Sequence, residues 1–464
     1  MVRMSRNLNT DFAAAAAARD LRARLGPDRV LVRGPVYDQA RRLWNGAVDH
    51  RPALIVRPGT PAGVQAAVLT ARMHDLPISV RGGGHDWAGR AMRPGGLVID
   101  LTGMRQVAVD AGARIANVGG GATAGEVIAA AVPHNLVAAT ATCGDVGLAG
   151  LTSVGGYSSL TGRFGLALDN LLGARVVLAD GRLATADATH EPELFWAIRG
   201  GGGNFGVLTS LRVRLHPLHR LLAGFIVFPW VQAAAVWQRL AAVLADAPDE
   251  LTVQSGIRAG TDGIPRMFLF PAWSGERARG EKTIEQLGRL GTPLLSHVVP
   301  RTYTQLLDLF EASVADGRHY TVRTRSLAAF TPDVVTALTE AAPAVTSHLS
   351  LVSIHHFHGA AARVPRDATA FGLRQKHFTV EIVAAWQPGD DDGARHRAWA
   401  DSLSARLAPH ALPGGYPGLL GPDDHDQIAH AYGSNDARLR AAKARYDPSR
   451  IFAATPGARW QDAA

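Results

Sequence analysis

The chain of 464 residues holds a single cysteine, Cys143, so no disulfide can form within it. It has no run of 18 uncharged apolar residues, and no helical membrane span is expected. Charged residues make up only 19% against 47% hydrophobic ones, which excludes global disorder and supplies a real core. The phosphate-binding pattern G-x-x-x-x-G-K-[ST] is missing, which rules out a P-loop kinase. No cysteine or carboxylate stands at ligand spacing beside the histidines of IHHFHG, so no metal site is expected. The N-terminal stretch MVRMSRNLNTDFAAAAAARDLRARL is alanine-rich but closes on charges. It reads as a helix rather than a signal peptide, and a cytoplasmic location is expected. The formal net charge is +8, yet its densest basic group, Arg438, Arg440, Lys443 and Arg445, sits on the helix-like NDARLRAAKARYDP. That is the pattern of a solvated helix face, and no nucleic-acid partner is expected.

What is present is a large, glycine-rich chain, too long for one core, with 50 glycines that cluster without a period. Residues 50–215 alternate short β-branched runs (ALIVRP, ISVRGGG, GLVIDL, ANVGGG) with helical patterns. Thr60-Pro61 is a good helix start. From about 220 to 410 the runs lengthen: LTVQSGI, PRMFLFPAW, LVSIHHFHGAA and HFTVEIVAAW predict a mainly antiparallel sheet with helices. Three segments are expected, 1–216, 217–411 and 412–464.

Four glycine clusters stand out: Gly82–Gly84, Gly119–Gly121, Gly155-Gly156 and Gly200–Gly203. Without a Cβ, successive backbone N–H groups can converge on one anion. ANVGGGATAGEV satisfies a loose G-x-G-x-x-A from Gly119 to Ala124, but the acidic residue of a dinucleotide fingerprint is missing about 20 positions later.

A more specific combination is RGGGHDWAG (81–89), then TCGDVGLAGLTSVGGYSSLTGRFGLALDN (142–170), LFWAIRGGGGNFGVLTSLRVRLHP (194–217), HHFHGAAARVPRDATAF (355–371) and AYGSNDARLRAAKARYDPSRIF (431–452). In this order they resemble the berberine-bridge-enzyme-like FAD-linked oxidases of the vanillyl-alcohol-oxidase superfamily. The resemblance implies an α+β fold, with a PCMH-type FAD-binding domain built from both chain ends. The central segment would form a substrate domain whose mainly antiparallel sheet is covered by helices. It implies that Arg81, Gly82, Gly83 and Gly84 cradle the FAD pyrophosphate, with Gly89 closing the loop, and that His85 is joined to the flavin 8α-methyl carbon. A neutral imidazole is a competent nucleophile for that attack; read alone, His85 is equally a packed loop histidine. Cys143, Val146, Gly147 and Gly150 match a C-x-x-V-G-x-G-G pattern whose cysteine bonds flavin C6 in relatives, although Ala149 replaces one glycine. Read alone, Cys143 is a small buried hydrophobe. By position, Asn170, Asn204, Phe205, Gly206 and Val207 are expected near the cofactor. Tyr416-Pro417-Gly418 and the terminal FAATPGARW depart from the family's Y-x-N and N-x-I.

The substrate side needs a base. Strand alternation puts His356 and His358 on one face of IHHFHG and His355 on the other. One of these histidines is a candidate to face the flavin; the other reading is a satisfied strand histidine. Glu381 sits among apolar neighbours with Thr379 and Val383 on its face. It therefore has either a raised pKa and a catalytic task or an arginine partner such as Arg374. Tyr432 stands where the resemblance places an active-site tyrosine, a phenolate base or an interface tyrosine. The expected reaction is two-electron oxidation of an alcohol-type carbon in a small molecule, a sugar or secondary metabolite, with O2 reduced to H2O2. The alternatives are oxidative cyclisation, flavin-dependent oxygenation, a dehydrogenase with another acceptor, and a flavin-binding protein without turnover. No oligomeric state is read from the sequence.

Overall fold

A computed structural model describes residues 2–311, 314–390 and 393–455. Three sheets organise the chain. The first orders Val30–Leu31, Leu54–Val56, Leu97–Asp100 and Ile78–Arg81, and both pairings to Leu97–Asp100 are parallel. The crossover helix Pro61–Met73 starts where Thr60 accepts a hydrogen bond from the Gly63 N–H at 3.2 Å, with Pro61 in the first turn. Its apolar stripe, Val64, Ala67, Val68 and Ala71, packs on Ala14, Ala17, Ala18 and Leu21 of the N-terminal helix.

The second sheet is antiparallel, in the order Val107–Asp110, Ile115–Gly119, Val207–Pro217, Leu171–Val177, Leu183–Ala186. Leu136–Ala138 joins the far end of Val207–Pro217. The glycines of ANVGGG therefore do not open a parallel dinucleotide unit. The following helix, Ala124–Ala131, caps itself: Glu126 Oε2 accepts from the Thr123 N–H at 2.9 Å, and Thr123 Oγ1 accepts from the Glu126 N–H at 3.4 Å.

The third sheet has seven antiparallel strands, ordered Leu295–Arg301, Leu221–Pro229, Pro265–Trp273, Leu251–Ala259, Leu351–Phe357, His377–Trp386 and His319–Leu327. The four long runs expected as strands all lie in it. Helices Ala233–Ala245, Pro332–Ala341 and Ala394–Leu407 cover one face, burying Trp237, Leu240, Leu338 and Leu403 against Val380, Ile382 and Ala384. Each such side chain contributes about 1.5–3 kcal/mol on burial. Alternation along His377–Trp386 then leaves Thr379, Glu381 and Val383 on the opposite face.

The C-terminal segment returns to the first two sheets. Phe452 bridges Ile78 in parallel, and Lys443 Nζ donates to Asn204 O and Phe452 O at 2.6 Å and to Asp447 Oδ2 at 2.5 Å. Three acceptors around one buried ammonium compensate its lost hydration. The terminal residues 456–464 lie outside the described residues. No helix among the described residues is long and apolar enough to cross a membrane.

Candidate active site

A cavity of about 370 Å³ opens between the glycine loops and the uncovered face of the third sheet. The strand Ile78–Arg81 ends at its floor, and Gly82, Gly83, Gly84 and His85 line it. Against this loop lies the Cys143–Gly147 segment. Gly83 and Gly147 meet back to back: a Cβ on Gly83 would stand 2.4 Å from Gly147 N, and one on Gly147 2.3 Å from Gly83 N. Only two glycines allow that approach. The N–H groups of Gly83, Gly84 and His85 donate to no acceptor among the described residues. Arg90 Nη1, of a residue that lines the cavity, is buried and likewise without a partner there. Unspent donors around a glycine cradle suit an anionic, phosphate-bearing cofactor.

His85 and Cys143 line the same cavity from adjoining loops. The His85 ring stacks on Trp44 with centroids 5.0 Å apart, and its Nε2 lies 2.8 Å from Asp145 Oδ2. Burial raises the Asp145 carboxyl, but the histidine outweighs it and the net shift is downward. Asp316 brings a second carboxylate, so that the ligand atoms of the three residues lie within 4.8 Å of one another.

The opposite wall carries Glu381. Its Oε1 accepts a short hydrogen bond from the Tyr157 hydroxyl, and its Oε2 lies 3.3 Å from His355 Nε2. Burial pushes this carboxyl up, whereas the His355 hydrogen bond and charge and the Tyr157 hydrogen bond push it down. The partners win, and Glu381 is held below the ordinary carboxylate range. Burial and the neighbouring carboxylate drive the Tyr157 phenol well above its usual value, so it remains a donor. Tyr416 packs edge-on to Tyr157 at 5.1 Å, and its oxygen accepts from the Gly156 N–H at 2.6 Å. The arrangement is an ionised carboxylate, oriented by two donors, facing a cradle with a histidine and a cysteine.

Several expected site residues lie elsewhere. Arg81 turns beneath the loop to donate to Ala40 O and does not line the cavity. Gly89 sits behind the loop, against Val48 and His50. Asn170 donates to Phe164 O and Leu166 O, both at 2.8 Å, and its Oδ1 faces His216. Asn204 Oδ1 accepts from Ala454 N and Thr455 N, clamping the C-terminal segment, while Val207 and Phe205 are core residues. Gly82, Gly83, Gly84, Val146, Gly147, Gly150 and Gly206 do line the cavity.

On the substrate side, Glu381 is in place, but Arg374 is not its partner. It forms a two-point ion pair with Asp169 at 2.8 and 2.9 Å. Tyr432 is buried in the core and does not line the cavity. His356 and His358 stack on each other at 3.9 Å, and burial lowers both pKa values, so they are packed, neutral rings away from Glu381. Strand parity turns His355 to the carboxylate instead. Tyr157 and Tyr416 have no catalytic place in the sequence reading, and His355 stands in it only as one of three histidines that are candidates to face the flavin. The only local signals were the glycine pair before Tyr157 and the shared face of His355.

The family profile described as "FAD binding domain" matches residues 52–187, and that described as "Berberine and berberine like" matches residues 423–458. The FAD-linked oxidoreductase aurO of Gibberella zeae is 32% identical over 424 residues, covering 90% of this chain and 83% of the relative. (R)-6-hydroxynicotine oxidase of Paenarthrobacter nicotinovorans is 30% identical over 434 residues, covering 90% and 93%. The crystal structure of 6-hydroxy-D-nicotine oxidase from Arthrobacter nicotinovorans superposes with a TM-score of 0.83 at 28% identity, over 92% of this chain and 97% of that one. A xylooligosaccharide oxidase from Myceliophthora thermophila, 24% identical with a TM-score of 0.85 over 96% and 99%, shares the fold.

Proposed function

Because the chain belongs to the berberine-bridge-enzyme-like family of FAD-dependent oxidoreductases, we propose that it oxidises an alcohol-type carbon of a small molecule and passes the electrons to O2, giving H2O2. Residues 1–216 and 412–464 would hold the FAD and residues 217–411 would supply the substrate wall. His85 would tether the flavin, with Cys143 as a second bond. The observation that carries this reading is the placement of Glu381 across one cavity from His85 and Cys143.

Bound there, FAD supplies a two-electron acceptor for hydride. The remaining work falls to the chain. The cradle of Gly82–Gly84 and Gly147 brings backbone donors to the phosphates. Glu381 takes the hydroxyl proton of the substrate while the carbon gives up its hydride. Tyr157 orients Glu381 through its hydrogen bond, and His355 keeps the carboxyl ionised in a buried setting. Apolar walls exclude water from the transfer.

The test is made on purified yellow protein. Acid precipitation should leave flavin in the pellet, and His85→Ala should release most of it. Substrate turnover should produce peroxide. Glu381→Gln should keep its flavin and slow flavin reduction by roughly 10²-fold or more. Wild-type flavin found wholly in the acid supernatant overturns the tether. An unchanged reduction rate in Glu381→Gln overturns the base.

A further inference from the structure

The wall opposite the glycine cradle has one polar locus. Val322 and Val383 are cross-strand partners on its face, and they form an apolar cluster with Trp44, Trp87 and Leu419. All five line the cavity. The indole N–H groups do not break this surface. Trp44 Nε1 donates to Val314 O at 2.6 Å and Trp87 Nε1 to Leu419 O at 3.0 Å, so both rings present carbon. Beside the cluster stands Glu381 with Tyr157 and His355. Asp86 and Arg90, on the cradle side, are joined to each other by Arg90 Nε and Nη2 on Asp86 Oδ1.

From this census we propose that the substrate is a mainly apolar ring molecule, aromatic or alicyclic, that presents a single hydroxyl-bearing carbon to Glu381, and that oligosaccharides are excluded. The inference rests on the flavin-oxidase reading above and narrows it. A sugar unit carries several hydroxyls. Pressed against Val322, Val383 and Leu419, those away from Glu381 would lose water and find no partner. Each such hydroxyl costs roughly 10-fold in affinity. A ring with one hydroxyl has no such cost and gains dispersion and area burial over the same surface. In the reaction the carbinol C–H bond breaks and its electron pair leaves as hydride for the flavin. The O–H proton goes to Glu381, and a ketone forms. O2 then takes up two electrons and two protons as H2O2.

The experiment uses flavin-loaded protein with racemic 1-indanol and cellobiose as probes. Binding is read from the visible difference spectrum of the oxidised flavin, and reduction is followed without oxygen. 1-Indanol should perturb the spectrum at least 10-fold more tightly than cellobiose, and it alone should bleach the flavin. Val383→Asn places an amide on the wall. It should weaken 1-indanol by roughly 10-fold and leave cellobiose unchanged or tighter. The inference is overturned by cellobiose binding as tightly as 1-indanol, by no 1-indanol signal on flavin-loaded protein, or by an unchanged probe ratio in Val383→Asn. A chain that takes up no FAD at all overturns the parent reading, and this one with it.

Discussion

Replacing Gly83 by alanine tests the junction on which both proposed tethers depend. The new Cβ would stand 2.4 Å from Gly147 N, 2.8 Å from Asp145 O and 2.9 Å from Gly147 Cα. All three are backbone atoms, so no side chain can swing away. Restoring ordinary contact requires the two loops to part by about 1 Å. Overpacking of this kind costs about 1–3 kcal/mol in stability. The larger effect is on chemistry: His85 follows on one loop, Cys143 precedes on the other, and a displacement of about 1 Å costs roughly 10²-fold in a positioned reaction. Gly83→Ala expressed with excess FAD should therefore fold with a lowered Tm, bind FAD more weakly and form its covalent bond slowly. Acid-precipitable flavin followed over time reads the rate, and peptide mass spectrometry reads which residue is joined. Gly147→Ala meets the same contact from the other side at 2.3 Å, so the double variant should cost less than the sum of the two singles. A Gly83→Ala protein with wild-type Tm and full covalent flavin would refute the reasoning, because the two backbones would then not be in contact.

Tyr157→Phe removes one of the bonds that hold Glu381 down while its burial stays, so the carboxyl pKa rises. A base works only when ionised, and the acid limb of kcat/KM should move to higher pH; pH profiles of flavin reduction check this. The same depressed pKa has a stability consequence: it stabilises the fold above the unfolded carboxyl pKa, and this is lost as pH falls through the folded value. Urea unfolding of Glu381→Gln at acid and neutral pH should show less loss on acidification than the parent. Arg374→Met breaks the buried two-point pair with Asp169 and should cost about 3–5 kcal/mol in urea unfolding, part of it recovered by adding Asp169→Leu. Tyr432→Phe should leave the flavin-reduction rate unchanged, because its hydroxyl does not line the cavity.

Much of this was legible where the chemistry is carried by neighbours in sequence. RGGGH places a permissive backbone directly before a histidine, and a strand ahead of it aims both at one place. The alternation of HFTVEIVAAW puts Glu381 on the face opposite Val380 and Ile382 whatever the strand packs against. The four long apolar runs were enough to expect a second, antiparallel sheet, because period-two burial is a local property of the chain.

Tertiary structure decided what depends on the path between distant segments. Glu381 was expected either with a raised pKa or beside Arg374. It has neither, because cross-strand pairing sets Ser353 opposite it, with His355 two residues along the same face, and Tyr157 reaches it from 224 residues away. Arg374 goes to Asp169, and Tyr432 is drawn into the core. His355 faces the carboxylate while His356 and His358 do not, since one step along a strand reverses the side-chain direction. The glycines of RGGGH are written side by side, but what makes Gly83 irreplaceable is a second backbone, 64 positions on, pressed against it at Gly147. Local rules set which atoms a residue offers and to which face. Which partner waits there is set by how the sheets close on one another, and no window of sequence contains that.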